Sequence, residues 1–382
     1  MSKLLIIIIL FFTSTASVFA NPEIQARSSI LIDHHSGEVL YELDPDLQIY
    51  PASMTKIMTA IVAFDLLKKN KISLDDKYII SENAWRLSQA GYSSMFIMIN
   101  DQVSVEDLLK GIIIVSGNDA CIALAEGIAG SEENFAQMMN EKAGEIGMVS
   151  TNFTNASGIN DPDNISTVRD IALMSKYLIN NYPIFYELFK DKTFTWDRTG
   201  GEPIKQGNRN PLLYKNIGVD GIKTGYLAVE KYSLASTMKK KDRRVIAVAS
   251  GFDTKNLRSS ESLKLLNWGF RNTNTFEISK KNETTFEIDS WLGIKNKINA
   301  VTKENYYVTI DKKDIRHLTV SLNYNGPIKA PIQKGDKVAE LIVKKKNKNL
   351  KTLPLYASED LKKVNFFKSL VTSLNYLIWG DV

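Results

Sequence analysis

The chain has 382 residues, 44% hydrophobic and 24% charged, which is enough for two or three globular units with sizeable cores. Its formal net charge of +5 is only mildly basic, and basic residues do not interleave with aromatic ones, so we expect no nucleic-acid partner. The single cysteine excludes a disulfide within the chain, and the three histidines form no H-E-x-x-H pattern, so we predict no metal and no cofactor.

The first twenty residues predict a secretory signal peptide. Lys3 gives a positive start, residues 4–12 are an unbroken apolar run, and residues 18–20 form a small-residue cleavage site. A transmembrane anchor is the weaker interpretation, because the apolar run is short for a bilayer span. We therefore expect residues 1–20 to be removed and the mature protein to be exported.

Residues 21–273 predict an α+β domain in which a cluster of helices is bracketed by antiparallel strands from both ends of the segment. A β-hairpin is predicted at residues 27–33 and 38–43, and two later strands at 232–238 and 245–251. Capping residues and apolar periodicity predict the helices. Their predicted starts are at or near Ser53, Ser104, Asp119, Ser131, Thr167 and Ser259.

The last third of the chain predicts two further units. Residues 274–356 contain short alternating runs between Lys, Asn and Gly turns, which are typical of a small all-β domain. In residues 357–382, apolar residues recur every three or four positions, which predicts an amphipathic helix. The helix is too polar to span a bilayer, so we expect it to lie in the membrane interface with Trp379 at headgroup depth. A helix packed on the β-domain is the alternative.

Ser53 and Lys56 form an S-x-x-K motif at the start of an apolar helical run. Residues three apart are neighbours on one helix face. A serine is a weak nucleophile until a base takes its proton, and a neutral lysine beside it can be that base. The motif recurs by chance in many chains, so its weight depends on the other motifs that accompany it.

Two more motifs come later in the chain, Ser116-Gly-Asn118 between two predicted helices and Lys223-Thr224-Gly225 before the predicted strands. An ordered set of this kind is typical of penicillin-binding proteins and class A β-lactamases. Chemically, Ser116 can relay a proton and Asn118 can hold a substrate amide.

The third motif supplies charge. Lys223 and Thr224 can face a substrate carboxylate, and a cation at Lys223 is expected to keep Lys56 unprotonated by like-charge repulsion. The backbone N–H of Ser53, at its helix start, can supply one half of an oxyanion hole.

On these motifs the chain resembles the low-molecular-mass penicillin-binding proteins that are serine-type D-alanyl-D-alanine carboxypeptidases. The resemblance covers essentially the whole mature chain and includes Ile32-Asp33 with Gly37, the stretches 51–56, 116–120, 219–225 and 268–270, and Asn365-Phe-Phe-Lys368 before the tail. It implies a penicillin-binding/β-lactamase-like transpeptidase domain that removes the terminal D-alanine from peptidoglycan stem pentapeptides through an acyl-enzyme. It also implies inhibition by β-lactams, a role in cell-wall biogenesis, and a peripheral location on the periplasmic face of the inner membrane.

The resemblance also implies roles for single residues. Ser53 would be the acylated nucleophile and Lys56 the acylation base, while Ser116 and Lys223 would assist proton transfer. The backbone of Tyr226 would be the second oxyanion donor. Arg258 would help to hold the terminal carboxylate of the substrate. The alternative interpretation is that Arg258 is a surface arginine at the start of a helix.

Two departures from the family pattern concern the segment after Gly225. Related enzymes often have His in place of Tyr226, and they usually have Ala-Gly in place of Glu230-Lys231. The larger side chains of Glu230 and Lys231 could narrow the cleft or displace the edge of the strand.

Two other functions remain as alternatives. A class A-like β-lactamase would need a glutamate for deacylation, yet no E-x-x-L-N pattern lies between Asn118 and Lys223. A weakly catalytic murein-binding protein is the second alternative, and the intact serine and lysine motifs disfavour it.

Overall fold

The structure, a computed structural model, describes residues 21–159 and 161–380, so the predicted signal peptide at residues 1–20 lies outside the described residues. The helices are α1 (Lys56–Lys68), α2 (Glu82–Gln89), α3 (Val105–Lys110), α4 (Asn118–Ala129), α5 (Glu132–Ile146), α6 (Val168–Asn181), α7 (Lys255–Asn272) and α8 (Phe366–Trp379). The strands of the first unit are β1 (Ser28–Asp33), β2 (Val39–Leu43), β3 (Lys77–Ile79), β4 (Gln102–Ser104), β5 (Thr193–Trp196), β6 (Ile204–Gly207), β7 (Val219–Leu227), β8 (Lys231–Lys240) and β9 (Arg243–Phe252).

A five-stranded antiparallel sheet in the order β2-β1-β9-β8-β7 organises the first unit. Strand β1 pairs with β9, with Ser29 opposite Ala249, so the two ends of the segment meet in the middle of the sheet. Successive side chains of each strand point to opposite faces of the sheet, and apolar side chains on both faces are buried. One face packs on the helical cluster that includes α1 and α6, and the other packs on α7. The predicted α+β architecture is therefore confirmed.

Local signals explain most helix starts. The side chains of Ser104, Ser131 and Thr167 each accept a hydrogen bond from the third backbone N–H that follows, as the capping prediction requires. Helix α3 continues as a π-helix, Gly111–Val115, which ends at Ser116. Helix α7 begins four residues before its predicted start, because Thr254 caps it.

Two features of the strands differ from the prediction. The Lys223-Thr224-Gly225 motif precedes the two predicted strands, which are β8 and β9, but it lies within a further strand, β7, that the prediction does not contain and that forms the free edge of the sheet. The β5–β6 hairpin has no counterpart in the prediction, because its strands have only four residues each. The tip of this hairpin contains the turn-forming pair Gly200-Gly201.

The second unit is built from strands, as predicted. Its strands are β10 (Thr273–Ser279), β11 (Thr284–Trp291), β12 (Lys297–Val301), β13 (Tyr306–Asp311), β14 (Leu318–Asn323), β15 (Ile328–Lys329), β16 (Lys337–Lys345) and β17 (Lys348–Ala357). Six of them form one sheet in the order β14-β16-β17-β12-β11-β15, and β10 pairs with β13.

Side-chain hydrogen bonds around Asp33 join this β-domain to the first unit, at a surface that we call the domain interface. The Thr275 hydroxyl donates to the Asp33 carboxylate at 2.5 Å, and the Ser36 and Thr309 hydroxyls lie 2.7 Å apart. Arg243 also bonds Asp33, at 2.9 Å, and its side chain reaches Thr273. A buried, fully hydrogen-bonded carboxylate therefore fixes the first strand of one unit to the first strand of the next.

The chain after β17 pairs with two other segments of the β-domain before it becomes helical. Leu361 pairs with Ile332 and Lys363 with Gly293, and in the described part of the predicted anchoring segment 357–382 the helix runs from Phe366 to Trp379. Within the described part of the chain, every helix is too short or too polar to cross a membrane. The side chain of Trp379, predicted to reach headgroup depth, lies outside the described residues.

Candidate active site

Ser53 lies on a short 3₁₀ helix, Ala52–Thr55, that leads directly into α1. The residue before it, Ala52, has φ +50°, a left-handed conformation that costs on the order of 1–3 kcal/mol for a residue with a side chain. Two glycines make room for this turn. A Cβ on Gly158 would lie 1.9 Å from the Ala52 carbonyl oxygen, and a Cβ on Gly225 would lie 2.9 Å from the Pro51 carbonyl oxygen.

Lys56 is 1% exposed, and its amine reaches Ser53. The Nζ atom lies 3.1 Å from Ser53 Oγ, 2.6 Å from Asn118 Oδ1 and 2.7 Å from the backbone oxygen of Ser157. A neutral amine has two N–H donors and one lone pair. The two oxygens of Asn118 and Ser157 can take both donors, so the lone pair is left for the Ser53 hydroxyl.

Burial is the main cause that lowers the pKa of Lys56. Burial and then the charge of Lys56 lower the pKa of Lys223 well below its usual value. Because repulsion between two like charges is mutual, a charge on Lys223 also disfavours one on Lys56, in the direction that the sequence predicts. A cation is therefore disfavoured at both lysines.

Ser116 and Asn118 face Ser53 from the junction between the π-helix and α4. Ser116 has φ +65°, and the backbone N–H of Asn118 donates to the Ser93 carbonyl at 2.8 Å. The next residue, Asp119, is buried and accepts hydrogen bonds from the backbone N–H groups of Met95, Phe96 and Ile97. Asp119 thus ties the junction to the loop that forms one wall of the site.

The loop at residues 153–159 forms the floor beneath Lys56. The Asn155 side-chain oxygen accepts hydrogen bonds from the backbone N–H groups of Ser157 and Gly158, at 3.2 and 2.7 Å. The Thr59 hydroxyl donates to the Ala156 carbonyl at 2.6 Å. These bonds hold the Ser157 carbonyl that accepts from Lys56.

Strand β7 supplies the opposite wall. Lys223 is 2% exposed and Thr224 is 7% exposed. Tyr226 is 55% exposed, and its ring centroid lies 4.6 Å from that of Tyr232. Arg258 lies over the Tyr232 ring at 5.6 Å and is 9% exposed, so the alternative interpretation of Arg258 as a surface arginine is wrong.

These side chains surround one cavity of about 860 Å³. Ser53, Ser116, Asn118, Thr224, Gly225, Tyr226 and Arg258 all line it. Lys56 and Lys223 lie beneath its surface. Arg209 and Lys255, two cations without a sequence prediction, also line the cavity, and none of the lining side chains in the described part of the chain is a carboxylate. The cavity therefore suits an anionic substrate.

Neither Glu230 nor Lys231 narrows this cavity, because neither lines it. Glu230 is buried on the other side of the hairpin turn, against Arg27. Lys231 points to solvent, where it bonds Asp253 at 2.5 Å, and it adopts φ +62°. The glycine that the family usually has at this position suits that conformation.

Cys121 does not take part in the chemistry of the site. Its side chain is completely buried in helix α4, and burial raises the pKa of its thiol to about 12. A thiol of that pKa is protonated at neutral pH and is a poor nucleophile.

Comparisons with known proteins agree with this geometry. The peptidase S11 family of D-alanyl-D-alanine carboxypeptidases matches residues 15–254, and the C-terminal domain of penicillin-binding protein 5 matches residues 274–363. The chain is 40% identical to the D-alanyl-D-alanine carboxypeptidase DacC of Escherichia coli over 351 residues, which cover 91% of this chain and 86% of that one.

Solved structures are similar as well. Penicillin-binding protein 5 of Haemophilus influenzae superposes with a TM-score of 0.82 at 36% identity, covering 90% of this chain and 99% of that one. Penicillin-binding protein D2 of Listeria monocytogenes, in its ampicillin-bound form, has a TM-score of 0.59 at 29% identity and covers 66% of this chain and 100% of that one.

Proposed function

The chain belongs to the peptidase S11 family of D-alanyl-D-alanine carboxypeptidases and is a serine-type hydrolase of that family, and we propose that Ser53 is its acylated nucleophile. The observation that carries this proposal is the 3.1 Å contact between the buried amine of Lys56 and Ser53 Oγ. A serine needs a base within hydrogen-bond reach, and Lys56 is such a base. Neither a class A-like β-lactamase nor a weakly catalytic murein-binding protein is favoured by the family match.

Acylation would begin at the Ser53 hydroxyl. Ser53 Oγ attacks the carbonyl carbon of the penultimate D-alanine while its proton passes to Lys56 Nζ. The backbone N–H groups of Ser53 and Tyr226 stabilise the negative charge on the carbonyl oxygen. When the C–N bond breaks, Ser116 donates a proton to the amine of the departing D-alanine and takes back the proton held by Lys56, which becomes neutral again. Water then hydrolyses the ester and regenerates the Ser53 hydroxyl.

The cationic wall of the cavity would hold the terminal carboxylate of the substrate. Arg258 and Arg209 supply charge, and Thr224 supplies a hydroxyl. Planar guanidinium groups suit bidentate recognition of a carboxylate. The side-chain oxygen of Asn118 is bound to Lys56, and the NH₂ group of the same side chain would hold the peptide amide of the substrate. The substrate is thus the D-Ala-D-Ala end of a peptidoglycan stem peptide, and β-lactams would acylate the same serine.

A labelling experiment tests the nucleophile. The purified protein is incubated with a labelled penicillin and analysed by intact mass, and we expect one penicillin per chain. Ser53→Ala should abolish the label. Ser175→Ala, a buried serine on α6, is the matched control and should be labelled like the wild type. Label that persists in Ser53→Ala would contradict the proposal, and release of D-alanine from a pentapeptide would establish the hydrolysis directly.

We also propose that the protein is exported and lies on the periplasmic face of the inner membrane, where it takes part in cell-wall biogenesis. Helix α8 supports this, because the Phe366, Phe367, Leu370, Val371, Leu374, Leu377 and Ile378 side chains are all exposed. Lys362, Lys363 and Lys368 form no salt bridge in the described part of the chain and suit anionic headgroups. Ile294, 55% exposed, lies beside them, since its N–H bonds the Lys362 carbonyl.

Sedimentation with vesicles tests the membrane proposal. We expect the chain from residue 21 to bind vesicles that contain anionic lipid, and Leu374→Asp with Leu377→Asp to remove binding without loss of penicillin labelling. Ile184→Asp, an exposed apolar residue of the first unit, is the control and should leave binding unchanged. Unchanged sedimentation of the α8 variant would contradict anchoring by this helix.

A further inference from the structure

Glu230 is a buried carboxylate at the turn between β7 and β8, and its side chain is 1% exposed. It forms a salt bridge with Arg27 and accepts a hydrogen bond from the Ser250 hydroxyl at 2.6 Å. It also accepts one from the backbone N–H of Tyr50 at 3.1 Å. The Ser250 hydroxyl in turn lies 2.8 Å from that of Ser233. Both carboxylate oxygens are therefore engaged, and one of them binds the main chain three residues before Ser53.

The segment that Glu230 holds leads directly into the strained turn of the proposed nucleophile. After Tyr50 come Pro51, whose carbonyl oxygen packs against Gly225, and Ala52, with φ +50°. Gly225 immediately precedes Tyr226, the second proposed oxyanion donor. The two N–H groups of the oxyanion hole thus belong to two segments that meet at the contact between Pro51 and Gly225. Glu230 lies at the end of the β7–β8 hairpin, which carries the Tyr226 N–H, and it binds the segment that carries the Ser53 N–H.

We propose that Glu230 is a positioning residue that sets the spacing between the Ser53 and Tyr226 backbone N–H groups. It does so by tying the Tyr50 main chain to the end of the β7–β8 hairpin. This inference rests on the proposed function, because it assumes that these two N–H groups form the oxyanion hole. Glu230 does not touch the substrate, since it does not line the cavity.

A carboxylate is suited to this task and an amide is not. Its partners Arg27, Ser250 and the Tyr50 N–H are all donors, and an ionised carboxylate has only acceptor sites. A glutamine at this position would turn an NH₂ group towards one of these donors. Charge-assisted bonds are also stronger than neutral ones. Glu230→Gln therefore keeps the volume of the side chain and disturbs the tie.

The test measures both the rate of acylation and the state of the oxyanion hole. We expect Glu230→Gln and Glu230→Ala to lower the acylation rate constant for a penicillin about tenfold, at an unchanged dissociation constant of the initial complex. A weakened oxyanion hole polarises the ester carbonyl less. The infrared carbonyl stretch of the acyl-enzyme should therefore move to higher wavenumber in both variants.

Asp33→Asn is the matched control, because Asp33 is likewise a buried carboxylate that binds one arginine and accepts backbone N–H groups. It lies at the opposite end of β1 from Arg27, at the domain interface. We expect it to lower the melting temperature and leave the acylation rate constant and the carbonyl stretch unchanged.

The outcomes separate the two proposals. An acylation rate constant and a carbonyl stretch equal to the wild type in folded Glu230→Gln would overturn the positioning role. Equal shifts of the carbonyl stretch in Glu230→Gln and Asp33→Asn would also overturn it, since the effect would then be one of general destabilisation. Labelling that survives Ser53→Ala would instead overturn the proposed nucleophile, whatever the Glu230 variants do.

Discussion

Two of the regions in which the first unit buries charged side chains treat these charges differently. Beneath the cavity, Lys56 and Lys223 are buried and form no salt bridge in the described part of the chain. Near the domain interface, Arg243 pairs with Asp33 at 2.9 Å and Arg244 with Asp220 at 2.6 Å. An unpaired buried cation is unfavourable and lowers its own pKa, whereas a paired one keeps its charge. The first region is therefore suited to proton transfer, and the second holds structure together.

The largest effect expected from this comparison is loss of acylation in Lys56→Met. Removal of a general base costs on the order of 10²–10⁴ in rate. The free energy of unfolding should change little, because methionine removes the cost of a buried amine but leaves the Asn118 and Ser157 oxygens without a donor. Stopped-flow acylation and urea denaturation measure the two quantities. A variant that acylates at the wild-type rate would contradict the assignment of Lys56 as the base.

Asp33→Ala should give the reverse pattern. It leaves Arg243 without its carboxylate partner and the Thr275 hydroxyl without its acceptor, so we expect the free energy of unfolding to fall by about 3 kcal/mol. This lies at the lower end of the range for a broken buried pair, because Arg243 is 15% exposed. The acylation rate of the folded fraction should be unchanged. A loss of acylation without a loss of stability would remove the distinction between the two regions.

The pH dependence of acylation provides the next largest effect. The active base is neutral Lys56, so acylation should fall about tenfold per pH unit below the folded-state pKa of this residue and level off above it. Burial lowers that pKa, so the plateau should begin below the ordinary lysine value of 10.5. A profile that still rises up to that ordinary value would show that Lys56 is not the group that titrates.

The same shift links pH to stability. Between the ordinary pKa and the lowered one, the unfolded chain binds a proton at Lys56 that the folded chain does not, so folding becomes less favourable as pH falls through this window. The stability of Lys56→Met relative to the wild type should therefore be greater at pH 7 than at pH 10. Denaturation of both proteins at the two pH values measures this difference.

The smallest effect concerns Lys231–Asp253, an ion pair outside both regions, whose side chains are 55% and 69% exposed. Exposed pairs contribute little. Lys231→Gly removes the pair but relieves the left-handed backbone at this position, so we expect a net gain in the free energy of unfolding of about 0.5–1 kcal/mol. Lys231→Ala is the control, since it removes the charge without relieving the backbone. A loss of stability in Lys231→Gly as large as that in Lys231→Ala would contradict the expected relief of the backbone.

The sequence predicts those parts of the site that depend on local spacing. Ser53 and Lys56 are one helical turn apart, and Ser116 and Asn118 are neighbours, so short motifs describe them well. The long-range approach of Lys223 to these residues depends on their packing against the edge of the sheet, which spacing alone does not give. Only the resemblance of all three motifs to a known family predicts it.

Other parts of the site leave little trace in the sequence. The second acceptor of the Lys56 amine is a backbone carbonyl, at Ser157, and any residue type supplies one. The role of Asp119 depends on three distant N–H groups that fold back onto it. Arg209 lies on an irregular segment whose direction is set by the β5–β6 hairpin, which the sequence patterns do not predict. The motif Ser116-Gly-Asn118 could have drawn attention to Asp119, since it is the next residue.

Strand β7 forms the free edge of the five-stranded sheet, and the cavity lies along that edge. An exposed strand edge is normally a hazard, because its unpaired amide and carbonyl groups invite another chain to pair with it. Here the hazard becomes a means of recognition: an extended peptide can join the sheet as an additional strand and be read through its own main chain. Such reading depends on chain direction and chirality more than on side-chain shape. It would allow one cleft to accept peptides of varied composition, provided that they end in the right stereochemistry.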